Sequence, residues 1–284
     1  MALRINFNYE SVSAQRNLAN TQASYAKAVG QLSSGQRINS ASDDAAGLAV
    51  SEKLKNQVRG LNQAQRNAQD AVSLLQTAEG ALNETHSILS RMRELAVQSS
   101  NDTLTNADRL HIQDEVNQLL SEVDRIAAST QFNTITLLDG SGAANLKFHL
   151  GANSETGDNA NEVTFTLGNA SSTGLSITGL STGNAMSLTT QSTSNAAIST
   201  LDTAIESVSS RRGAIGAMQN RLQSTINSLG VASENTAAAN SRIRDADVAQ
   251  AVSEMTRNQI LQQATMAVLA QANQAPQMAL QLLK

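Results

Sequence analysis

Counting by sevens from Leu54 meets Leu61, Ala68, Leu75, Leu82, Leu89 and Ala96, with no charged residue among them. A companion row three positions later runs through Gln57, Ala64, Ala71, Ala78, Thr85 and Met92. An apolar stripe held in register this long requires one extended helix whose face is covered by other helices. At about 1.5 Å per residue it spans roughly 65 Å, more than an ordinary globule needs. The pattern predicts a mainly α protein: a long antiparallel helical bundle, packed like a coiled-coil rod, with a small central β-hairpin region.

Composition supports narrow seams rather than a broad core. Of 284 residues 40% are hydrophobic but only 2% aromatic, the rings being Phe7, Tyr9, Tyr25, Phe132, Phe148 and Phe165. Large cores usually draw much of their buried area from rings, so a compact enzyme is disfavoured. The net charge of −4, with no basic tract beyond Arg211-Arg212, argues against nucleic-acid binding. Cysteine is absent, which removes disulfides and thiolate metal sites. The opening MALRINFNYESVSAQ lacks an apolar region with a small-residue cleavage site, so no cleaved signal peptide is predicted. No stretch approaches the ~20 apolar residues of a membrane span.

Along the chain, Leu18, Tyr25 and Leu32 give a first helix a thin apolar face, interrupted at Ser33-Ser34-Gly35. Ser40-Ala41-Ser42-Asp43 reads as a capping box, with Asp44 adding negative charge to the first turn. The long helix is expected over about Asp44 to Ser99, and Gly60 and Gly80 inside it suggest close neighbours. Thr105-Asn106-Ala107-Asp108 caps a second rod helix carrying Ile112, Val116, Leu119, Val123 and Ile126. The intervening loop is short, so these two helices should lie antiparallel. A later stripe runs through Leu201, Val208, Ile215, Leu222 and Leu229, with Arg212 and Gln219 weakening its companion seam. The last helix is expected from about Asp245 to Ala275, presenting Val248, Val252, Met255, Leu261, Ala264, Val268 and Ala272, with Pro276 just beyond it.

Residues 134–195 hold half of the 16 glycines. Leu146, Phe148 and Leu150 alternate with polar residues, as do Val163, Phe165 and Leu167, which predicts a β-hairpin. The Ser/Thr/Gly tract 169–195 reads as an exposed tip and a candidate for O-glycosylation. The chain therefore divides into an N-terminal helix (1–43) paired with a C-terminal helix (245–284), two parts of a helical rod domain (44–133 and 196–244), and the hairpin with its exposed segment (134–195). The end segments are weakly apolar and offer each other one narrow seam. Ordering them costs backbone entropy that so little burial offsets, so they are expected to fold only when copies pack around them. A head-to-tail interface whose rotation does not close gives an open filament.

Three internal runs carry a resemblance: LSSGQRINSASDDAAGLAVSEKL (Leu32–Leu54), QAQRNAQDAVSLLQTAEGALNE (Gln63–Glu84) and RMRELAVQSSND (Arg91–Asp102). With ALRINFN at the start and ANQAPQMALQLLK at the end, the chain resembles bacterial flagellin over residues 1–135 and 200–284. The resemblance implies a structural subunit of the flagellar filament, in a short form lacking large outer domains. It also implies export, unfolded, through the flagellar type III apparatus to an extracellular filament. Implied partners are other copies of the chain, a flagellar export chaperone, the filament cap and hook-junction proteins, and a Toll-like innate immune receptor. By the same resemblance Leu18, Tyr25 and Leu32 make filament-core contacts, and Val252, Met255, Leu261 and Val268 serve both the chaperone and the filament core. Arg91, Leu95 and Glu115 match the receptor-reading positions and are expected at subunit contacts, with Leu95 outside the helix seam. The alternative is a hook–filament junction protein of the same family.

Catalytic readings find little. His86, His111 and His149 are scattered without zinc-ligand spacing. Asp43-Asp44 is accounted for by helix-start electrostatics, and no phosphate-loop motif occurs. No enzyme activity, cofactor or metal is predicted.

Overall fold

The computed structural model describes residues 7–141, 145–154, 161–184 and 186–281. The first six and last three residues of the two end segments therefore lie outside the described residues, as do parts of the hairpin and tract at 142–144, 155–160 and 185. Five α-helices dominate: α1 (Tyr9–Ser34), α2 (Ala45–Ser99), α3 (Asn106–Ser129), α4 (Gln191–Arg244) and α5 (Val248–Gln281). Two small antiparallel pairs lie between α3 and α4. They are β1 (Gln131–Phe132) with β2 (Ile135–Thr136), and β3 (Leu146–His149) with β4 (Glu162–Phe165). The chain forms two compact units, one from residues 1–56 with 234–284 and one from residues 57–233.

In the first unit α1 packs antiparallel on α5, with Asn8 near Ala272 and Gln36 bridged to Asp245. Gly35, at φ 68°, takes the left-handed conformation that ends α1. Beyond it the chain pairs with the α4–α5 connection: Arg37 N donates to Arg244 O at 2.7 Å and Ala246 N to Gly35 O at 3.0 Å. Arg244 reaches back to Gln36 Oε1 and to Glu52. Because these contacts engage the first turns of α2 and the last of α4, the unit boundaries fall at 56 and 234. The connecting loops, at 43 and 244, therefore lie inside the first unit.

The Ser40–Asp43 motif forms, but as a turn ahead of the helix. Asp43 Oδ2 accepts from the backbone N–H groups of Asn39 and Ser40, and Lys27 Nζ lies 2.8 Å from Oδ1. These contacts, led by Lys27, hold the Asp43 carboxyl down at a pKa of about 2. The cap of α2 is Asp44, whose Oδ1 accepts from Gly47 N at 2.8 Å.

In the second unit the seven-residue stripe of α2 is buried from Leu61 through Ala96, in both rows. Side-chain contacts show the helix directions: the Arg91–Glu115 salt bridge joins α2 to the antiparallel α3, and the Arg93–Asp202 salt bridge with the hydrogen bond from Gln219 to Glu79 pairs α2 antiparallel with α4. The Thr105–Asp108 capping box forms in both directions. On α3 the buried set is Ile112, Val116, Leu120, Val123 and Ala127, so the expected Leu119 and Ile126 are only half-buried. A straight helix drifts from a strict seven-residue repeat, and the buried row drifts with it. On α4 the Leu201–Leu229 row is buried, but its companion runs through Ala197, Ala204 and Met218 with Arg211 between, not through Arg212 and Gln219. Gly60 lies so close to Ala152 that a Cβ there would sit 2.9 Å from the alanine's own, whereas nothing approaches Gly80 within 4 Å.

Candidate functional site

The α1–α5 contact is made by small residues. Ser11, Ala14 and Ala28 are its buried positions on α1, and Ala251 and Ala272 are those on α5. Leu18, Tyr25 and Leu32 lie half-buried along the same face of α1, and Met255 along that of α5. The rest of the expected α5 stripe is not covered. Val248, Val252, Leu261 and Val268 are exposed, joined by Ile260 and Met266. At about 100° per residue Val252 and Leu261 fall on opposite sides of the helix, so the expected stripe is not one face. The side that meets α1 carries Ala251, Met255, Gln262, Thr265 and Ala272, and the exposed apolar side chains are spread around the remainder. On α1, Phe7, Tyr9, Val12 and Val29 are exposed as well. Isolated apolar side chains on a surface are ordinary, but so many along one helix, on several sides, mark a helix that partners surround. The helix also extends past its expected end and includes Pro276.

A second candidate surface lies on the other unit, where α2 meets α3. Arg91 donates from Nε and Nη2 to Glu115 Oε1, both at 3.0 Å, and from Nη1 to Glu94 Oε2 at 3.1 Å. Glu115 first, then Glu94, raise the guanidinium's pKa above that of a free arginine. Leu95 does not belong to this exposed group. It is 2% exposed and packs in the core beside Met92 and Ala96, since two adjacent positions of the stripe turn inward here. The exposed apolar side chains of α2 and α3 in this unit include Val97 and Leu110, which seven-residue counting does not single out.

The Ser/Thr tract 169–195 is not an exposed tip. Leu175, Ile177, Leu180 and Leu188 are buried in the main core, and Gln191–Asn195 already belong to α4. Polar side chains from the helices seat the tract. Gln113, 1% exposed, donates to Leu180 O and accepts from Leu188 N. Asp124 accepts from the backbone and hydroxyl of Ser172, and Ser99 Oγ donates to Leu188 O at 2.8 Å. Arg211 donates to the carbonyls of Asn169 and Gly174, and burial lowers its pKa. Arg109, also buried, donates to Ser99 O, Asn101 O and Asn106 Oδ1. None of these roles shows as a local sequence pattern.

Among the described residues no three His, Cys, Asp or Glu side chains converge on a point, and no helix is long and apolar enough to cross a membrane. The features that stand out are helix faces. The model of the bacterial flagellin N-terminal helical region matches residues 5–143, and that of the C-terminal helical region matches residues 198–283. The chain belongs to the bacterial flagellin family. It is a structural protein of the flagellar filament, part of the bacterial flagellum, and not an enzyme. A flagellin of Halalkalibacterium halodurans is 49% identical over 280 residues, covering 99% of both chains. A flagellar filament 33 kDa core protein of Treponema phagedenis is 45% identical over 289 aligned positions, again covering 99% of each. Among solved structures, a flagellar hook-associated protein of Vibrio parahaemolyticus covers 72% of this chain and all of its own, at TM-score 0.56 and 16% identity, a likeness of fold alone.

Proposed function

We propose that this flagellin builds its filament by folding its two ends against neighbouring copies. The observation that carries the reading is the set Val248, Val252, Ile260, Leu261 and Val268, spread around the sides of α5 away from α1, which one copy leaves in water while Ala-lined faces join α1 to α5. Packing copies around a common axis buries those side chains, and only then does burial offset the cost of ordering the end helices. Leu18, Tyr25 and Leu32 contribute core contacts from α1, and the rod helices 44–133 and 196–244 contribute contacts along the filament. A chain whose ends fold last suits export in the unfolded state through the type III apparatus to an extracellular site.

On α5, Val252, Met255, Leu261 and Val268 are the ligand of an export chaperone before assembly. The filament cap and the hook-junction proteins are its neighbours at the filament's two ends. Arg91 and Glu115, held rigid over the buried Leu95, form a subunit contact that a Toll-like receptor also reads, since Arg-centred patches are frequent hot spots. The family's junction proteins share the terminal pattern but act in few copies. Growth of long filaments in high salt distinguishes the two roles.

The direct test removes residues 1–44 and 245–284. The shortened chain stays soluble and helical but grows no filaments under conditions where the full chain does. Filament growth by the shortened chain would overturn the proposal.

A further inference from the structure

Pro276 lies inside α5, which continues to Gln281. Proline has no backbone N–H, so the carbonyl four residues earlier, that of Ala272, has no partner within the helix. It is not left bare: Asn8 Nδ2 donates to Ala272 O at 2.8 Å, and Ala272 is buried. The other end of the same side-chain amide is also used. Asn8 Oδ1 accepts from Ser11 N at 3.1 Å and so caps α1, and the Ser11 hydroxyl donates to Asn273 Oδ1 at 2.9 Å.

One short side chain thus serves two orphans of different origin: a free N–H at the start of α1 and a free C=O inside α5. Ser, Thr and Asp cap helices about as well as Asn, but none has an amide donor to offer at the same time. The opposite end of the helix pair is held by backbone, through the Gln36–Asp245 bridge. Between the two ends the fully buried side chains are small, Ala14, Ala28 and Ala251, and give little resistance to splaying.

We propose that Asn8 and Pro276 form a clasp that closes the terminal end of the α1–α5 pair, making Asn8 a positioning residue for assembly. This rests on the reading that the end helices fold together as copies assemble. Proline creates the vacant acceptor, the asparagine fills it, and the cap on α1 is thereby tied to α5. Closed at both ends, the two helices hold their exposed apolar side chains in place for the copies that pack around them.

The test combines Asn8→Ser, which keeps a good cap but removes the amide donor, with Pro276→Ala, which lets α5 satisfy Ala272 itself. On preformed seeds the Asn8→Ser chain elongates about tenfold more slowly, the usual effect of one buried polar group left unpaired. The double variant elongates within about twofold of Pro276→Ala alone, because the vacancy no longer exists. Unchanged elongation in Asn8→Ser, or an equal loss in the presence of Pro276→Ala, overturns the clasp. Should the unaltered chain form no filaments, the assembly reading fails, and hydrogen exchange at residues 11–14 of the full-length chain decides the clasp separately. Protection lost in Asn8→Ser and regained in the double variant supports it, and protection indifferent to both changes overturns it.

Discussion

Arg109 Nε donates to the carbonyl of Ser99 at 2.8 Å, placing a buried cation against the carboxyl end of α2. The end of a helix presents unpaired carbonyls and partial negative charge, so the guanidinium satisfies both at once. Its remaining donors go to Asn101 O and Asn106 Oδ1, which fixes the turn into α3.

Arg109→Met is accordingly expected to destabilise the monomer by about 2–4 kcal/mol, since three acceptors lose a shared partner. Urea denaturation followed by circular dichroism reads this as a lower midpoint with little change in slope. Arg109→Lys recovers only part of the loss, because an ammonium group does not reproduce the planar fork.

Gln113→Leu tests how the tract after β4 is seated. The change keeps the helix but removes the donor to Leu180 O and the acceptor for Leu188 N. Amide exchange over residues 175–190 is expected to accelerate by about 10- to 100-fold while α2 and α3 stay protected. Uniform loss of protection across all three would show that the tract is not an independent layer.

What the sequence disclosed and what it withheld divide along physical lines. The α2 stripe, the Thr105 capping box and the Leu146–Phe165 hairpin rest on local periodicity and turn chemistry, and all three are present. The seating of the Ser/Thr tract depends on Gln113, Asp124 and Arg211, side chains from distant positions bonding to main chain. Such bonds leave no period to count. Periodicity also aligns apolar residues along α5 without saying what covers them, and Val252 and Leu261 are exposed on opposite sides of it. Leu95 shows the same limit at a single position: the count of sevens assigns Ala96 to the seam and leaves Leu95 outside it, yet both are buried.

The two glycines inside α2 should respond differently to alanine. Gly80→Ala is expected to stabilise by up to about 1 kcal/mol, because the helix gains propensity and nothing lies in the way. At Gly60 the new methyl meets Ala152 at 2.9 Å, including backbone at 3.0 Å, and the gain is cancelled or reversed. Thermal melting of the two variants side by side checks this, and equal shifts would contradict it.

Asp43 gives the first unit an acid limit. Its folded carboxyl titrates at about 2, below the unbound value of 3.8, so its contribution is complete above that value and disappears as pH falls toward 2. Carbon-detected NMR titration should place the Asp43 midpoint near 2. Lys27→Met should move it upward, because Lys27 is the largest cause of the depression. An unshifted midpoint in that variant would show that the backbone donors alone hold the carboxylate.

The pairing of Gly35–Arg37 with Arg244–Ala246 has a consequence for how such a chain can vary. Main-chain hydrogen bonds tie these two points together, so everything from residue 38 to 243 is, topologically, one closed loop hung from a fixed knot. The entropy of closing a flexible loop rises only with the logarithm of its length, about 0.6 kcal/mol per doubling. Sequence can thus be added to or cut from the middle of this protein at small expense to the knot, leaving the two end helices to meet as before.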